Sequence, residues 1–183
     1  QAFERVMING NSLRHHIVHA GNLTDTQIDR VETLGLQITS QPNFFSLLGD
    51  GFIEAYGPVR SQNLYRFQTL LKRNIKLAFS SDCPVADPNP FIGIRDAVCR
   101  RTGSGKSIGL SEAITAEQAL KLYTREAAYF SFEEKDAGSL KAGKRADLVI
   151  LDKDPMRLPA EEIPTCRVKM TVVGGKIVYG DRS

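Results

Sequence analysis

The chain has 183 residues, room for one domain or for one domain and part of another. Hydrophobic residues make up 42% of it, enough for a packed core, and 24 basic against 21 acidic residues leave a formal net charge of +3. That balance argues against a nucleic-acid partner, because the tightest basic cluster, Arg100-Arg101 with Lys106, is short and has no interleaved aromatics; no apolar run approaches the roughly 20 residues that span a bilayer, which argues against a membrane-spanning protein.

Phe3, Val6 and Met7 are spaced as the tail of a helix over residues 2–8, closed by Gly10. A helix that begins at residue 1 without a cap, in a chain that starts with Gln1, points to truncation; no signal peptide opens the chain. Residues 14–19 (RHHIVH) form a strand-like run. Thr24-Asp25-Thr26-Gln27 is a capping-box pattern opening a helix whose buried stripe is Ile28, Val31 and Leu34, with Gly35 as its left-handed stop. Residues 36–40 read as a second strand, ended by Gln41-Pro42. Residues 43–60 combine Phe44, Phe45, Leu47, Leu48, Phe52 and Ile53 with no clear period, which predicts a packed irregular lid. A helix over 61–73 precedes the third strand, 75–79, which breaks at Ser80-Ser81-Asp82; Pro84, Pro88 and Pro90 then prevent further pairing. The alternation of strands and helices predicts parallel pairing through crossovers.

A helix over 91–101 leads to a Gly/Ser loop. Thr115 and Gln118 form a second capping box for a helix over 115–130, with Ala119, Leu122, Tyr123 and Ala127 inward. The period then changes: 146–151 is a strand, and 168–173 and 176–179 flank Gly174-Gly175, a two-residue hairpin signal. The boundary between the α/β part, 1–137, and the antiparallel part, 138–183, falls near Ala137.

His19 and Asp82 are the candidate site. Each follows a strand of one parallel sheet, the end at which α/β barrels carry their chemistry. Alone, each has a plain structural explanation: a hydrogen-bonding His at a strand end, and an Asp that turns the chain. Together, imidazole and carboxylate suit Zn²⁺ or a similar divalent ion, whose bound water a nearby carboxylate can deprotonate. His15 and His16 do not join them: His15 lies about 13 Å from His19 along one strand face, and His16 points the other way. The cysteines, Cys83, Cys99 and Cys166, are odd in number and form no CxxC pair, which fits reduced thiols in a cytoplasmic protein. Cys83 adjoins Asp82 but lacks the base and orienting group of a nucleophile. Gly103-Ser104-Gly105-Lys106-Ser107 resembles a phosphate loop, but Arg100 stands where its first Gly is needed and a helix, not a strand, precedes it; a mobile surface loop is expected there.

These stretches resemble the carboxyl-terminal portion of the amidohydrolase superfamily, in the branch of the N-substituted formamide deformylases and the exoenzyme regulatory proteins. The likeness is carried by RHHIVHA at 14–20, Gln41-Pro42, FSSDCP at 79–84, Asp87-Pro88, TAEQALKLYT at 115–124, GSLKAGKRADLVILDKDP at 138–155 and TVVGGKIVY at 171–179. It implies an α/β fold: the last strands, about six to eight, of a (β/α)₈ TIM-type barrel, with the C-terminal part of a small β-sandwich. It implies a metal-dependent hydrolase, with His19 as the strand-six metal ligand and Asp82 as the strand-eight residue that contacts metal and relays a proton, acting on a small-molecule amide-like substrate. The HxH of strand one, the strand-four bridging residue and the strand-five His have no counterpart, so the chain is either a segment, inactive alone, or a degenerate relative. A segment with three barrel strands would expose sheet edges that favour homo-oligomers. The rival function is a non-catalytic regulatory or binding protein on the same scaffold.

Overall fold

The computed structural model describes residues 2–6 and 10–180. Three parallel strands, β1 (His16–Val18), β2 (Gln37–Ser40) and β3 (Leu77–Phe79), lie in the order β1-β2-β3. Ile17 pairs with Ile38 and Ile38 with Leu77, so one row of apolar side chains runs across the sheet toward the helices. Helix α1 (Ala2–Val6) precedes the sheet; its predicted continuation through Met7 and Ile8 lies outside the described residues. Helix α2 (Asp25–Thr33) is the crossover from β1 to β2. The predicted Thr24 box is formed, with Gln27 N donating to Thr24 Oγ1 and Thr24 N donating to Gln27 Oε1. Ile28 and Val31 are buried beneath it, and Gly35 turns the chain with φ +60°.

The second crossover departs from expectation. Residues 43–60 are not an irregular lid but helix α3 (Phe44–Arg60), kinked at Gly57-Pro58. Three glycines and a proline lower its intrinsic propensity, and tertiary contact restores it. Phe44 and Phe45 are buried, and Gly49 lets the helix approach Thr102 so closely that a Cβ would fall 2.8 Å from the threonine methyl. The predicted helix over 61–73 is also interrupted. A 3₁₀ turn, Ser61–Asn63, ends at extended Leu64, Tyr65 adopts φ +49°, and α4 (Phe67–Lys72) begins afresh.

After β3, α5 (Pro90–Cys99) starts with Asn89 accepting from Phe91 N and Pro90 at the first turn, and ends at left-handed Arg100. The single helix expected over 115–130 is two, α6 (Ala116–Tyr123) and α7 (Arg125–Phe130), broken at Thr124. The break moves the inward position from Ala127 to Ala128. Strands β4 (Leu148–Leu151), β5 (Val168–Val173) and β6 (Lys176–Tyr179) make the antiparallel sheet, with Gly174-Gly175 at the hairpin as expected. The 3₁₀ segment Ala160–Thr165 returns to α5 and buries Ile163 in the main core.

The Arg100 guanidinium sits in that core. Its nitrogens donate to the carbonyls of Ile108 (3.0 Å), Tyr65 (3.0 Å) and Leu64 (2.7 Å), and it lies over the rings of Phe45 and Phe67. Burial pulls its pKa down to about 9, so it stays charged at neutral pH. At the other end of the sheet Arg14 grips Glu134 with two hydrogen bonds (2.9 and 2.6 Å), donates to the Tyr129 carbonyl, and stacks on Tyr129 and Phe132.

Arg100→Met should lower unfolding free energy by about 3 kcal/mol or more, since three carbonyls at about 1–3 kcal/mol each lose their donor; a denaturant midpoint measures it. The Arg14 hydrogen bonds hold the Glu134 carboxyl at about 2, against 4.5 ordinarily. Between those values the unfolded chain binds more protons than the fold, so this contribution is fully present above about pH 4.5 and is lost as pH falls toward 2. Glu134→Gln should flatten that part of the stability–pH curve.

Candidate functional site

His19 and Asp82 emerge at the same rim, the C-terminal ends of parallel strands β1 and β3, with β2 between them. Strands two apart in a sheet are about 10 Å apart, within the reach of two inward-turned side chains to one ion. Both residues have left-handed backbones, His19 at φ +67° and Asp82 at φ +60°. Such conformations are uncommon outside glycine and collect where structure presents functional groups.

The turn at His19 is held from both sides. Its N–H donates to Thr39 O (2.8 Å), and its carbonyl accepts from Ser40 Oγ (2.8 Å). The exposed ring stacks on Phe44, at the start of α3, with centroids 5.8 Å apart. Nδ1 is hydrogen-bonded to Gln41 Oε1 (2.8 Å), and Gln41 Nε2 donates to Ser80 Oγ (2.8 Å). A side-chain chain thus runs across the strand ends from β1 to the residue after β3.

The Asp82 loop is fixed by buried Asn43. Its Nδ2 reaches the carbonyls of Ser81 (3.4 Å) and Asp87 (3.3 Å), on either side of Asp82. Val85 N donates to Asp82 O (2.7 Å), closing the turn. The Asp82 carboxylate itself makes no hydrogen bond or ion pair among the described residues. Its charge helps raise the pKa of the Tyr65 phenol to about 12, after burial and alongside Tyr56. Tyr65 is tied to the β1 loop: its N–H donates to Gly21 O (2.8 Å), and a Cβ on Gly21 would fall 2.8 Å from its ring.

The donor set fits a divalent ion in kind. Among the described residues, His19 keeps one ring nitrogen uncommitted and Asp82 keeps both carboxylate oxygens, as neutral imidazole and carboxylate ligation require. It is partial in number: among the described residues no group of three or more His, Cys, Asp or Glu is placed to share an ion. His15 and His16 are taken up elsewhere, against Phe3 and Phe130 respectively. Cys83 is an exposed free thiol. Grooves of about 200 and 320 Å³ lie away from the rim, one on the helix side of β1 beside Phe3 and Val31, the other at the opposite end of β3 beside Lys76 and Glu126.

The Gly/Ser loop is not mobile as expected but clamped. Arg101 and Ser107 bridge in antiparallel fashion, and Asp50 of α3 accepts from Ser104 N (2.9 Å), Ser104 Oγ (2.5 Å) and Thr102 Oγ1 (3.0 Å). The protein's own carboxylate occupies the loop amide that a phosphate would need.

Gln41, Asn43, Ser80 and Tyr65 also bear on the rim, and none was expected as a site residue. Gln41-Pro42 and Ser80 carried a signal as the ends of strands; Asn43 and Tyr65 carried none.

The amidohydrolase family model matches residues 1–179, and the chain belongs to that family. It is 30% identical to the putative amidohydrolase YtcJ of Bacillus subtilis over 190 residues, covering 97% of this chain and 35% of that protein. Against the N-substituted formamide deformylase of Arthrobacter pascens identity is 31% over 166 residues, covering 88% and 30%. An uncharacterized metal-dependent hydrolase from Pyrococcus furiosus superposes with a TM-score of 0.68 at 32% identity, over 85% of this chain and 31% of that one. The chain therefore spans about a third of the length of these relatives. The parallel sheet with crossover helices and these neighbours fit a TIM-barrel-type α/β fold.

Asn43→Leu should free the carbonyls beside Asp82. Hydrogen exchange at the Val85 amide should quicken, with a global stability loss of about 1–3 kcal/mol.

Proposed function

We propose that, in the full-length protein, this chain supplies part of the metal site of a hydrolase that opens an amide-like, non-peptide C–N bond in a small molecule. The observation that carries this reading is the placement of His19 and Asp82, both in left-handed turns, at one rim of a parallel sheet in an amidohydrolase-family chain. The relatives named as hydrolase and deformylase support it, and residues 1–137 would be the barrel part, with 138–183 contributing sandwich strands. Free cysteines fit a reducing, cytoplasmic setting.

A divalent ion, zinc by the chemistry of imidazole and carboxylate donors, would be held by His19 through its uncommitted ring nitrogen and by Asp82; when bound it supplies electrostatic stabilisation to the charge that builds on the attacked carbonyl. The chain's own residues do the rest. Asp82, fixed by the Asn43 bonds to its neighbours, accepts the proton of the attacking water and returns it to the departing nitrogen, so that the C–N bond breaks as an amine leaves. Tyr65, kept a phenol by burial, backs the loop after β1 through its bond to Gly21.

Metal analysis and amidase assays on the full-length protein test this. Asp82→Asn should lower kcat by about 10²–10⁴-fold, the usual contribution of a positioned proton acceptor. Full-length protein that hydrolyses amides after complete metal removal overturns the proposal. Metal-loaded protein that hydrolyses no amide at all turns the reading toward a binding role.

A further inference from the structure

We propose that Gln41 is a positioning residue: it holds the His19 ring as the Nδ1–H tautomer and so turns Nε2 toward the rim where Asp82 stands. This deepens the metal-site reading and rests on it for the purpose of the device, though not for its geometry.

Gln41 is 1% exposed, at the end of the central strand, and its amide spans the gap between the two outer strands. Oε1 of Gln41 has no proton to give, so the 2.8 Å contact requires His19 Nδ1 to be the donor. With Nδ1 protonated, a neutral imidazole carries its lone pair on Nε2, at the opposite edge of the ring. The amide in turn is held by Ser80 Oγ at 2.8 Å, which places its other end two residues before Asp82. Stacking on Phe44 fixes the ring plane, and the hydrogen bonds to Thr39 O and from Ser40 Oγ fix the backbone beneath it. One buried amide therefore couples the ring orientation of a β1 residue to the strand end that carries the carboxylate. Metal-bound histidines are oriented in the same way, by a partner on the other nitrogen, and loss of such a partner costs about 10–100-fold in metal affinity.

The test uses full-length, metal-free protein labelled with ¹⁵N at histidine, recorded at a pH where the ring is neutral. His19 signals are identified by their loss in His19→Ala. Nδ1–H is expected in the unmodified protein; Nε2–H there, which would mean that the whole amide chain runs in reverse, overturns the proposal without any variant. Titration with Zn²⁺ alone then compares Gln41→Leu, which cannot accept, with Gln41→Glu, which can. The expected result is a loss of affinity of about 10–100-fold for the first and recovery for the second. Equal affinity of Gln41→Leu and the unmodified protein overturns the proposal. His19→Ala that binds Zn²⁺ undiminished overturns the metal-site reading instead, while the tautomer still decides what Gln41 does.

Discussion

A buried guanidinium whose three nitrogens each donate to a main-chain carbonyl is the constraint on which the α/β part depends. Removing a charge from water costs several kcal/mol, and Arg100 offsets this with three charge-assisted hydrogen bonds and two aromatic faces. The three carbonyls come from separate places, Leu64 and Tyr65 between α3 and α4, and Ile108 beyond α5. The side chain therefore fixes the point at which the chain breaks its helix and turns back. Tyr65 passes the constraint on, since its own N–H is bonded to Gly21, two residues after His19. The left-handed Tyr65 is stable only because both sides of its peptide are engaged.

At the rim the same logic recurs with side chains. His19 and Asp82 come from strands that do not touch; the ladders through β2 bring both strand ends to one rim but do not aim the side chains. Gln41 and Asn43, both from the turn after the central strand, hold what the ladders leave free: one grips the imidazole and reaches Ser80, the other grips the carbonyls on either side of Asp82. A Gln-Pro-Asn turn is thus the hub between the imidazole and the carboxylate turn. Pro42 suits it, because a fixed φ lets the strand end abruptly and α3 begin.

The clamped loop at 101–107 shows how composition can mislead. Glycines, serines and a lysine make amide donors available to any anion, and the anion they hold is Asp50. The carboxylate links α3 to the end of α5 and supports the same pair of elements that Arg100 and Asp96 join; buried Asp96 accepts from Ser46 N and Oγ. The family likeness extends through this region and into the antiparallel sheet, whose Val149, Ile150 and Val178 remain exposed among the described residues.

Local chemistry was legible wherever it was local. The Thr24 and Thr115 capping boxes, the Gly174-Gly175 hairpin, the three parallel strands and the two residues that close the outer ones follow from neighbours in sequence, because caps, turns and strand runs are decided within a few residues. The helical state of 43–60, the breaks at Tyr65 and Thr124, and the pinned 101–107 loop were not legible. Three of these are imposed by a partner far along the chain: Thr102 against Gly49, Arg100 on Tyr65, Asp50 on Ser104. By itself the sequence determined that an imidazole and a carboxylate reach the rim, since a strand's end and its turn residues are written side by side. Only the tertiary structure decided how those groups are aimed, because the hydrogen bonds that orient the ring and hold the Asp82 turn come from the central strand's Gln41 and Asn43, some forty residues from Asp82 and about half that from His19.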